Sequence, residues 1–384
     1  MAGGGPAGAA AALVLGRAGR RVLLLDPSTP GAFRVGEALP PSARPLLRDL
    51  GLLDRFLDEG HLPCYGNLSA WGAPWLHPTD FLFDRNGHGW HLDRARFDAQ
   101  VRDAARAAGA KVRTGARLTS AERLGKRWRI EWSGEGRACE VRSSWVVDAT
   151  GRRCAVARRH GATRLHDDGL VAFFARFHPA VPGADRDART LIEAVPDGWW
   201  YTALVPSGER VVAFLTDPDL VDRSALLSSA GFVAALAGTN QVGAALTTHG
   251  YAIAGRPRGT DAGSARLDRF AGPGWLAAGD AALSFDPLSS QGILNALYTG
   301  MKAGQALDAH LSGDMSALAG YASRLEEIHQ AYQRNRTTYY GYETRWPGDP
   351  FWRRRRGGSV PPELSLRNQS SVAGDVAPHL RGEK

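Results

Sequence analysis

Alternation of apolar and polar positions through the middle of the chain predicts a series of β-strands. The expected strands cover residues 112–120, 128–132, 140–147, 171–178, 191–195, 199–205 and 210–216. The last four follow one another at short intervals, which predicts a single sheet. Residues 63–91 carry aromatic side chains between Gly and Pro, a pattern that predicts shorter strands beside that sheet.

Helical periodicity is concentrated in other parts of the chain. An Ala- and Leu-rich segment, 9–20, predicts a helix that is followed at once by a short apolar strand over 21–26. Asp93 is placed to cap a helix over 94–108, and a further helix is expected near 315–340. Residues 344–384 lack apolar periodicity, so this C-terminal extension is expected to be partly disordered.

Composition limits the class of protein more than its function. The chain has 384 residues, of which 43% are hydrophobic and 22% charged, enough to bury a core and to exclude a disordered or fibrous chain. Its three cysteines have no CxxC spacing, and no HExxH motif occurs, so neither a disulfide framework nor a metal site is expected. No apolar run reaches the roughly 18 residues that cross a bilayer. We therefore predict a cytoplasmic protein without a membrane partner.

The net charge of +8 does not by itself indicate nucleic-acid binding. Four of the positive charges are the consecutive Arg353 to Arg356, and no nucleic-acid-binding motif accompanies them. We predict no nucleic-acid partner.

The N-terminal glycines fit the motif GxGxxG. Gly3 would make the tight turn, Gly5 would let the backbone approach a pyrophosphate, and Gly8 would pack the following helix on the sheet. Pro6 and Ala7 complete the motif, and Asp26 ends the next strand, where a carboxylate accepts hydrogen bonds from ribose hydroxyls. The pattern therefore predicts a dinucleotide site.

The strand that normally precedes such a motif is reduced to Met1 and Ala2. Because this strand is central in the sheet, its loss is expected to leave the neighbouring strands unpaired. Either the true start lies further upstream, which is the interpretation we favour, or the chain folds with a defect at the cofactor site.

A second signature begins near residue 275. A short strand ends in Gly279 and Asp280, and a loop through Pro287 leads to a helix that begins with Gly292 and Ile293. A helix N-terminus so placed stabilises an anion or an electron-rich ring. Between the two signatures, the apolar strand at 145–148 runs into the Gly151 turn.

Together these motifs resemble the flavoprotein monooxygenases of the p-hydroxybenzoate hydroxylase type. Within that superfamily, four segments are similar to the tryptophan-halogenase-like branch, and above all to its non-halogenating members that mature the quinone cofactors of amino-acid oxidases. The segments are RVGEALPP (34–41), GWHLDRARFD (89–98), DGWWY (197–201) and DPLSSQG (286–292). The resemblance covers about residues 3–355.

The resemblance implies an α/β fold in which a Rossmann-like FAD-binding domain is interleaved with a β-sheet-rich substrate domain. The FAD-binding domain would comprise residues 3–62, 92–157 and 265–343, and the substrate domain residues 63–91 and 158–264.

The activity that the resemblance implies is that of an FAD-dependent monooxygenase. It would hydroxylate an indole- or phenol-type ring, either of a small molecule or of a peptide or protein, through a flavin C4a-hydroperoxide formed from O2. Electrons would come from NAD(P)H or from reduced flavin supplied by a partner flavin reductase. Glu37, Trp199, Tyr201 and Pro287 are the candidate catalytic residues, and Arg94 would contact the FAD phosphates. The alternatives are a helix-terminal carboxylate for Glu37, core packing for Trp199 and Tyr201, and a surface role for Arg94.

Other functions are compatible with the same fold. A flavin-dependent halogenase is the main alternative, but halogenases of this branch carry a lysine and a WxWxIP motif. Here no lysine precedes Lys111, and the matching strand is WWYTALVP (199–206), with Tyr201 in place of the second Trp. A flavin reductase resembling geranylgeranyl reductases and a non-catalytic flavoprotein remain further alternatives.

Overall fold

The computed structural model describes residues 1–29, 33–134 and 136–356. The helices are α1 (Pro6–Arg17), α2 (Ala43–Asp49), α3 (Leu53–Asp58), α4 (Arg94–Ala107), α5 (Ala155–Arg159), α6 (Arg223–Leu226), α7 (Ser229–Leu236), α8 (Gln241–Thr248), α9 (Gly292–Leu311), α10 (Ala317–Tyr342) and α11 (Pro350–Arg355).

The strands alternate with these helices along the chain. They are β1 (Leu23–Asp26), β2 (Ala38–Leu39), β3 (Leu62–Cys64), β4 (Gly66–Ala70), β5 (His77–Asp80), β6 (Gly89–His91), β7 (Lys111–Thr114), β8 (Arg117–Leu124), β9 (Arg127–Gly134), β10 (Arg137–Ser143), β11 (Val146–Asp148), β12 (Arg164–His166), β13 (Val171–His178), β14 (Thr190–Val195), β15 (Gly198–Leu204), β16 (Arg210–Thr216), β17 (Ala252–Asp261), β18 (Ala265–Leu267), β19 (Ala271–Gly272), β20 (Trp275–Ala277) and β21 (Leu283–Ser284).

A parallel sheet with helices packed against it forms the first half of the architecture. Strand β1 pairs in parallel with β7, and β11 pairs in parallel with β20. Helix α1 packs closely against α9 because its residues are small. A Cβ at Gly300 would lie 2.2 Å from the carbonyl oxygen of Ala7, so only glycine fits this crossing.

The central position of this sheet is held by the first three residues. Ala2 forms parallel bridges with both Leu25 and Asp148. Its N–H donates to Val147 O at 2.9 Å, and its carbonyl accepts from Ala149 N at 2.9 Å. On the other side, Met1 O accepts from Leu25 N at 3.0 Å and Gly3 N donates to Leu25 O at 2.9 Å. The expectation that the neighbouring strands are left unpaired is therefore wrong at their carboxyl ends, because Ala2 bonds to the β11 side while Met1 and Gly3 bond to β1.

A seven-stranded sheet forms the second half, in the order β17-β13-β16-β15-β14-β4-β5. The strands predicted over 171–178, 191–195, 199–205 and 210–216 lie at its centre, within one residue of their expected bounds. Helices α7 and α8 contribute Phe232, Leu236, Val242 and Leu246 to the core on one face of this sheet. The sequence pattern did not indicate these helices or β17.

Two predicted strands are each divided into two. Residues 112–120 contain β7 and β8, because Gly115 adopts a φ of +68° and turns the chain between them. Residues 140–147 contain the end of β10 and the start of β11, which belong to different sheets. Apolar alternation continues where the chain passes from one sheet to another, so the sequence pattern predicted one strand where the structure has two.

The C-terminal helix α11 is part of the folded core. Phe351 and Trp352 are fully buried, and the Trp352 indole donates to Val195 O at 2.9 Å. Arg355 pairs with Asp217 at 2.5 Å. The ordered structure therefore continues through residue 356, and the rest of the extension predicted to be disordered lies outside the described residues.

Candidate functional site

The N-terminus of α1 faces a cavity with its backbone exposed. The N-cap residue is Gly5, which has no side-chain cap, and Pro6 follows at the first helical position. A Cβ at Gly5 would meet no atom within 4 Å, whereas a Cβ at Gly3 would lie 2.1 Å from Ala149 O. Gly3 also has a φ of +110°. Gly3 thus shapes the turn, and Gly5 leaves room for a phosphate to approach the helix N-terminus.

Asp26 ends β1 beside this turn and is fully buried. Its carboxylate accepts hydrogen bonds from the backbone and the hydroxyl of Ser28. The guanidinium of Arg102 lies 3.1 Å from its Oδ2, and that of Arg34 lies 4.0 Å from its Oδ1. The sequence analysis did not identify either arginine, because arginine is common throughout the chain.

The cavity has a volume of about 780 Å³. It is lined by most of the residues predicted to form the site, namely Gly3, Gly5, Pro6, Ala7, Asp26, Glu37, Arg94, Gly151, Trp199, Tyr201, Asp280, Pro287, Gly292 and Ile293. Gly8 and Gly279 lie behind this lining. A Cβ at Gly8 would come 2.0 Å from Gly3 O, and one at Gly279 would come 2.7 Å from Ala7 Cβ, so both positions serve close packing.

Glu37 is the carboxyl group placed between the two halves of the fold. It is 2% exposed, the Tyr201 hydroxyl donates to its Oε2 at 3.3 Å, and its Oε1 has no hydrogen-bond partner among the described residues. Burial raises the pKa of Glu37 to about 7, although the nearby Arg94 guanidinium acts in the opposite direction. Burial also raises the pKa of Tyr201 well above its usual value, so the phenol stays protonated.

Arg94 is already bound to protein groups. Its guanidinium donates to Gly36 O at 2.8 Å and to Val35 O at 3.2 Å, and it pairs with Asp98 at 3.2 Å. Because these contacts hold the backbone on the N-terminal side of Glu37, Arg94 fixes where that carboxyl group lies. It also lines the cavity.

Strand β15 presents alternate side chains to the cavity. Trp199 and Tyr201 line it. Trp200 faces the other way and stacks on Phe214 with ring centroids 4.8 Å apart. Trp200 and Phe214 both belong to the core under α7.

The loop before α9 is organised around the side chain of Asp286, for which the sequence motif predicted no role. Its Oδ2 accepts from the Tyr340 hydroxyl at 2.6 Å, its Oδ1 accepts from Leu288 N at 2.9 Å, and its N–H donates to the Tyr332 hydroxyl at 2.9 Å. Burial raises the pKa of Asp286. These contacts orient Pro287 and the N-terminus of α9 toward the cavity.

A second cavity of about 560 Å³ adjoins the first. The two share three lining residues, Ala38, Asp286 and Ser290. About half of the residues that line the second cavity are aromatic or apolar, and these include Trp71, Trp90, Phe81, Phe83, Tyr339 and Ile192. No lysine is among the described residues that line either cavity.

Comparison with known families explains why the glycine turn before α1 and the first cavity occur in the same protein. Residues 1–336 match the family described as FAD binding domain. The chain belongs to this FAD-binding family. The resemblance inferred from its motifs is thereby confirmed, as is the mixed α/β fold.

Relatives within the FAD-binding family are oxidoreductases and halogenases. LodB of Marinomonas mediterranea, whose name describes it as an FAD-dependent oxidoreductase, is 32% identical over 368 residues, which cover 93% of this chain and 96% of LodB. The peptidyl tryptophan dihydroxylase QhpG, described as essential for tryptophylquinone cofactor biogenesis, superposes with a TM-score of 0.77 at 25% identity. That match covers 95% of this chain and 79% of QhpG.

The flavin-dependent halogenase CmlS has the same fold. It superposes with a TM-score of 0.82 at 23% identity, covering 98% of this chain and 75% of CmlS. The FAD-binding family thus identifies the protein as an FAD-dependent enzyme of the oxidoreductase and halogenase group. In the part of the chain that the structure describes, no helix is long and apolar enough to cross a membrane.

Proposed function

We propose that this FAD-dependent enzyme is a monooxygenase that hydroxylates an indole- or phenol-type ring. The observation that carries the proposal is Glu37, a buried carboxyl group of which one oxygen has no hydrogen-bond partner among the described residues. Glu37 lines the first cavity, and the next residue, Ala38, lines both the first and the second cavity. Bound FAD would supply the reduction of O2 and the transfer of one oxygen atom.

The residues that would hold FAD follow from the geometry. Gly5 and the uncapped N-terminus of α1 would receive the pyrophosphate, and Asp26 would accept from the ribose hydroxyls. Gly292 would bring the N-terminus of α9 to the flavin ring. We also propose that residues 3–62, 92–157 and 265–343 form the FAD-binding unit, and residues 63–91 and 158–264 the substrate unit.

The chain itself would manage the substrate proton. Hydroxylation of a phenol is favoured when the ring loses its O–H proton, since the ring then becomes more electron-rich. An indole is already electron-rich and keeps its N–H proton while it is attacked. Oε1 of Glu37 would accept the phenol proton, while the Tyr201 hydroxyl holds Oε2 in place. A carboxyl group with a pKa of about 7 is suited to exchange protons near neutral pH.

The second cavity would bind the substrate ring. Its aromatic lining, including Trp71, Trp90 and Tyr339, suits a flat apolar group, and its contact with the first cavity runs past Ala38 and Asp286. The similarity to QhpG supports a ring carried by a peptide or protein. Electrons would come from NAD(P)H or from a partner flavin reductase.

Halogenation is the second candidate, and the similarity to CmlS favours it. Against it, neither cavity has a lysine among its described lining residues, and Tyr201 stands where the halogenase motif has its second Trp. If this protein were a halogenase, its cavities would lack the lysine ammonium group that is expected to bind an oxidised halide.

The deciding experiment is product analysis by mass spectrometry. FAD-loaded protein is supplied with a flavin reductase, NADH, O2 and a panel of indoles, phenols and Trp-containing peptides, with and without chloride or bromide. We expect a gain of one or two oxygen atoms that does not depend on halide, and slower product formation in Glu37→Gln. A halogenated product would instead establish the second candidate.

A further inference from the structure

We propose that Trp199, Trp71, Trp352 and Trp346 form an electron-transfer chain between the first cavity and the protein surface. The proposal rests on the proposed function in one respect, namely that the cavity holds FAD. Through this chain an electron would pass from the protein surface to bound oxidised flavin excited by blue light, so that the resulting hole ends at the surface and not on a residue beside the flavin.

The four indole rings are in sequential contact. Trp199 and Trp71 have ring centroids 6.3 Å apart, and Trp71 and Trp352 have centroids 5.2 Å apart. Trp352 then stacks on Trp346 at 5.9 Å with an interplanar angle of 26°. Trp199 lines the first cavity, and Trp71 lines the second. The chain therefore begins at the site and passes beside the proposed substrate cavity.

The hydrogen bonds of the Trp71 and Trp352 indoles favour electron transfer between the rings over loss of the indole proton. The Trp71 indole donates to Tyr339 O at 2.9 Å, and the Trp352 indole donates to Val195 O at 2.9 Å. A backbone carbonyl is a very weak base, so an oxidised indole bonded to it keeps its proton. The positive hole on either ring can then move to the next ring.

The outer end of the chain is partly open to solvent. Trp346 is half-buried, whereas the other three rings are at least 93% buried. The Arg345 guanidinium lies 4.2 Å from the Trp346 ring centroid, which disfavours a hole there. The Glu343 carboxylate, 2.6 Å from that guanidinium, offsets the charge. Solvent at Trp346 can accept the indole proton, which makes this ring the natural end point.

Trp199 would give one electron to a bound oxidised flavin excited by blue light, and the hole would move through Trp71 and Trp352 to Trp346. The flavin is then reduced by one electron, and Trp346 has lost one electron and passes its N–H proton to water. An external thiol donates one electron and one proton to restore Trp346.

The same four rings also pack α11 against the large sheet, so contact alone does not establish transfer. A packing role requires only bulk and shape. An electron-transfer role requires in addition that each ring can be oxidised, and this difference can be measured.

The test is transient absorption spectroscopy of the FAD-loaded full chain after a blue flash, without substrate. We expect a long-lived neutral tryptophan radical in the unmodified protein and loss of its long-lived component in Trp346→Phe. Trp346→Tyr should retain a long-lived radical, now with the tyrosyl spectrum, because tyrosine can be oxidised and phenylalanine cannot. Trp75→Phe removes an exposed indole outside the chain and should change nothing.

The outcomes separate this proposal from the proposed function. Failure to retain FAD, measured by absorbance before the flash, would contradict the proposed function. Bound FAD with no tryptophan radical, or an unchanged radical in Trp346→Phe, would overturn the electron-transfer chain and leave the monooxygenase proposal intact.

Discussion

The hydroxyl of Tyr201 donates to Oε2 of Glu37 across 3.3 Å and thereby joins strand β15 to the segment before β2. This hydrogen bond stabilises the ionised form of Glu37 and so opposes the effect of burial on its pKa. One carboxyl oxygen is therefore held by the sheet, while the other is buried without a hydrogen-bond partner among the described residues.

The first prediction concerns the pH dependence of turnover. If ionised Glu37 is the proton acceptor, kcat should rise with pH through about 7, the pKa of this group. Tyr201→Phe removes the donor and should move this rise to higher pH. The rise should be absent in Glu37→Gln. Measured profiles that are the same in all three proteins would exclude Glu37 as the proton acceptor.

The second prediction concerns stability. The folded-state pKa of Glu37 lies above the unfolded value of 4.5, so the folded protein binds more protons between these limits. Its free energy of unfolding should fall as pH rises from about 5 to 8. The contribution of this residue is on the order of 2 kcal/mol. Glu37→Gln should reduce that fall, as measured by urea unfolding at both pH values, and an equal fall in both proteins would contradict the assignment.

The third prediction separates the two glycines of the N-terminal turn. Gly5→Val places a side chain in open space at a φ of −71°, so thermal stability without flavin should change little. The side chain projects into the cavity, and the Kd for FAD should rise by about tenfold or more, or about 1.4 kcal/mol. Isothermal titration with FAD measures this.

Gly3→Ala is the matched control for that experiment. Its Cβ would collide with Ala149 O at a φ of +110°, so this variant should lose stability before any flavin is added. Equal FAD affinity in Gly5→Val and the unmodified protein would show that the pyrophosphate lies elsewhere.

The fourth prediction concerns the loop before α9. Tyr340→Phe removes the donor to Asp286 and the acceptor of the Trp199 indole, which lies 3.2 Å from the Tyr340 hydroxyl. Since both partners are buried, we expect a loss of about 1–3 kcal/mol in the free energy of unfolding. Tyr339→Phe serves as a neighbouring control and should cost much less, because its hydroxyl takes part in neither bond.

The fifth prediction concerns α11. Phe351→Ala should cost about 3–5 kcal/mol of stability, because the side chain is fully buried against Tyr340 and Trp352. Arg353→Ala, on the exposed side of the same helix, should be nearly neutral. Chemical unfolding followed by tryptophan fluorescence measures both variants. Equal stability of the two would show that the helix is dispensable.

The sequence was most informative where backbone geometry restricts the choice of residue. Gly3, Gly5 and Gly8 could be assigned distinct roles because each role imposes a different steric demand, and the structure places their backbones accordingly. Strand geometry likewise requires that Trp199 and Tyr201, two residues apart on β15, share one face, and both line the first cavity.

Contacts between distant segments could not be predicted in this way. Arg102 lies beside Asp26, and Tyr340 lies beside Asp286, only because the chain brings residues from separate elements together. A single sequence shows which residues can form hydrogen bonds and leaves their partners open. For the same reason, nothing in the Arg-rich segment indicated that Arg355 would be buried against Asp217.

The position of α11 along the chain affects the order in which the molecule can be completed during synthesis. The glycine motif at residues 3–8, the segment 279–292 and every strand of the seven-stranded sheet emerge from the ribosome before Phe351 and Trp352. Until those two side chains arrive, the core around Trp71 and Trp199 has no cover on one side. A nascent chain can therefore form the glycine turn before α1 early, but the cluster around Trp71 and Trp199 is complete only after almost the whole described chain has been translated.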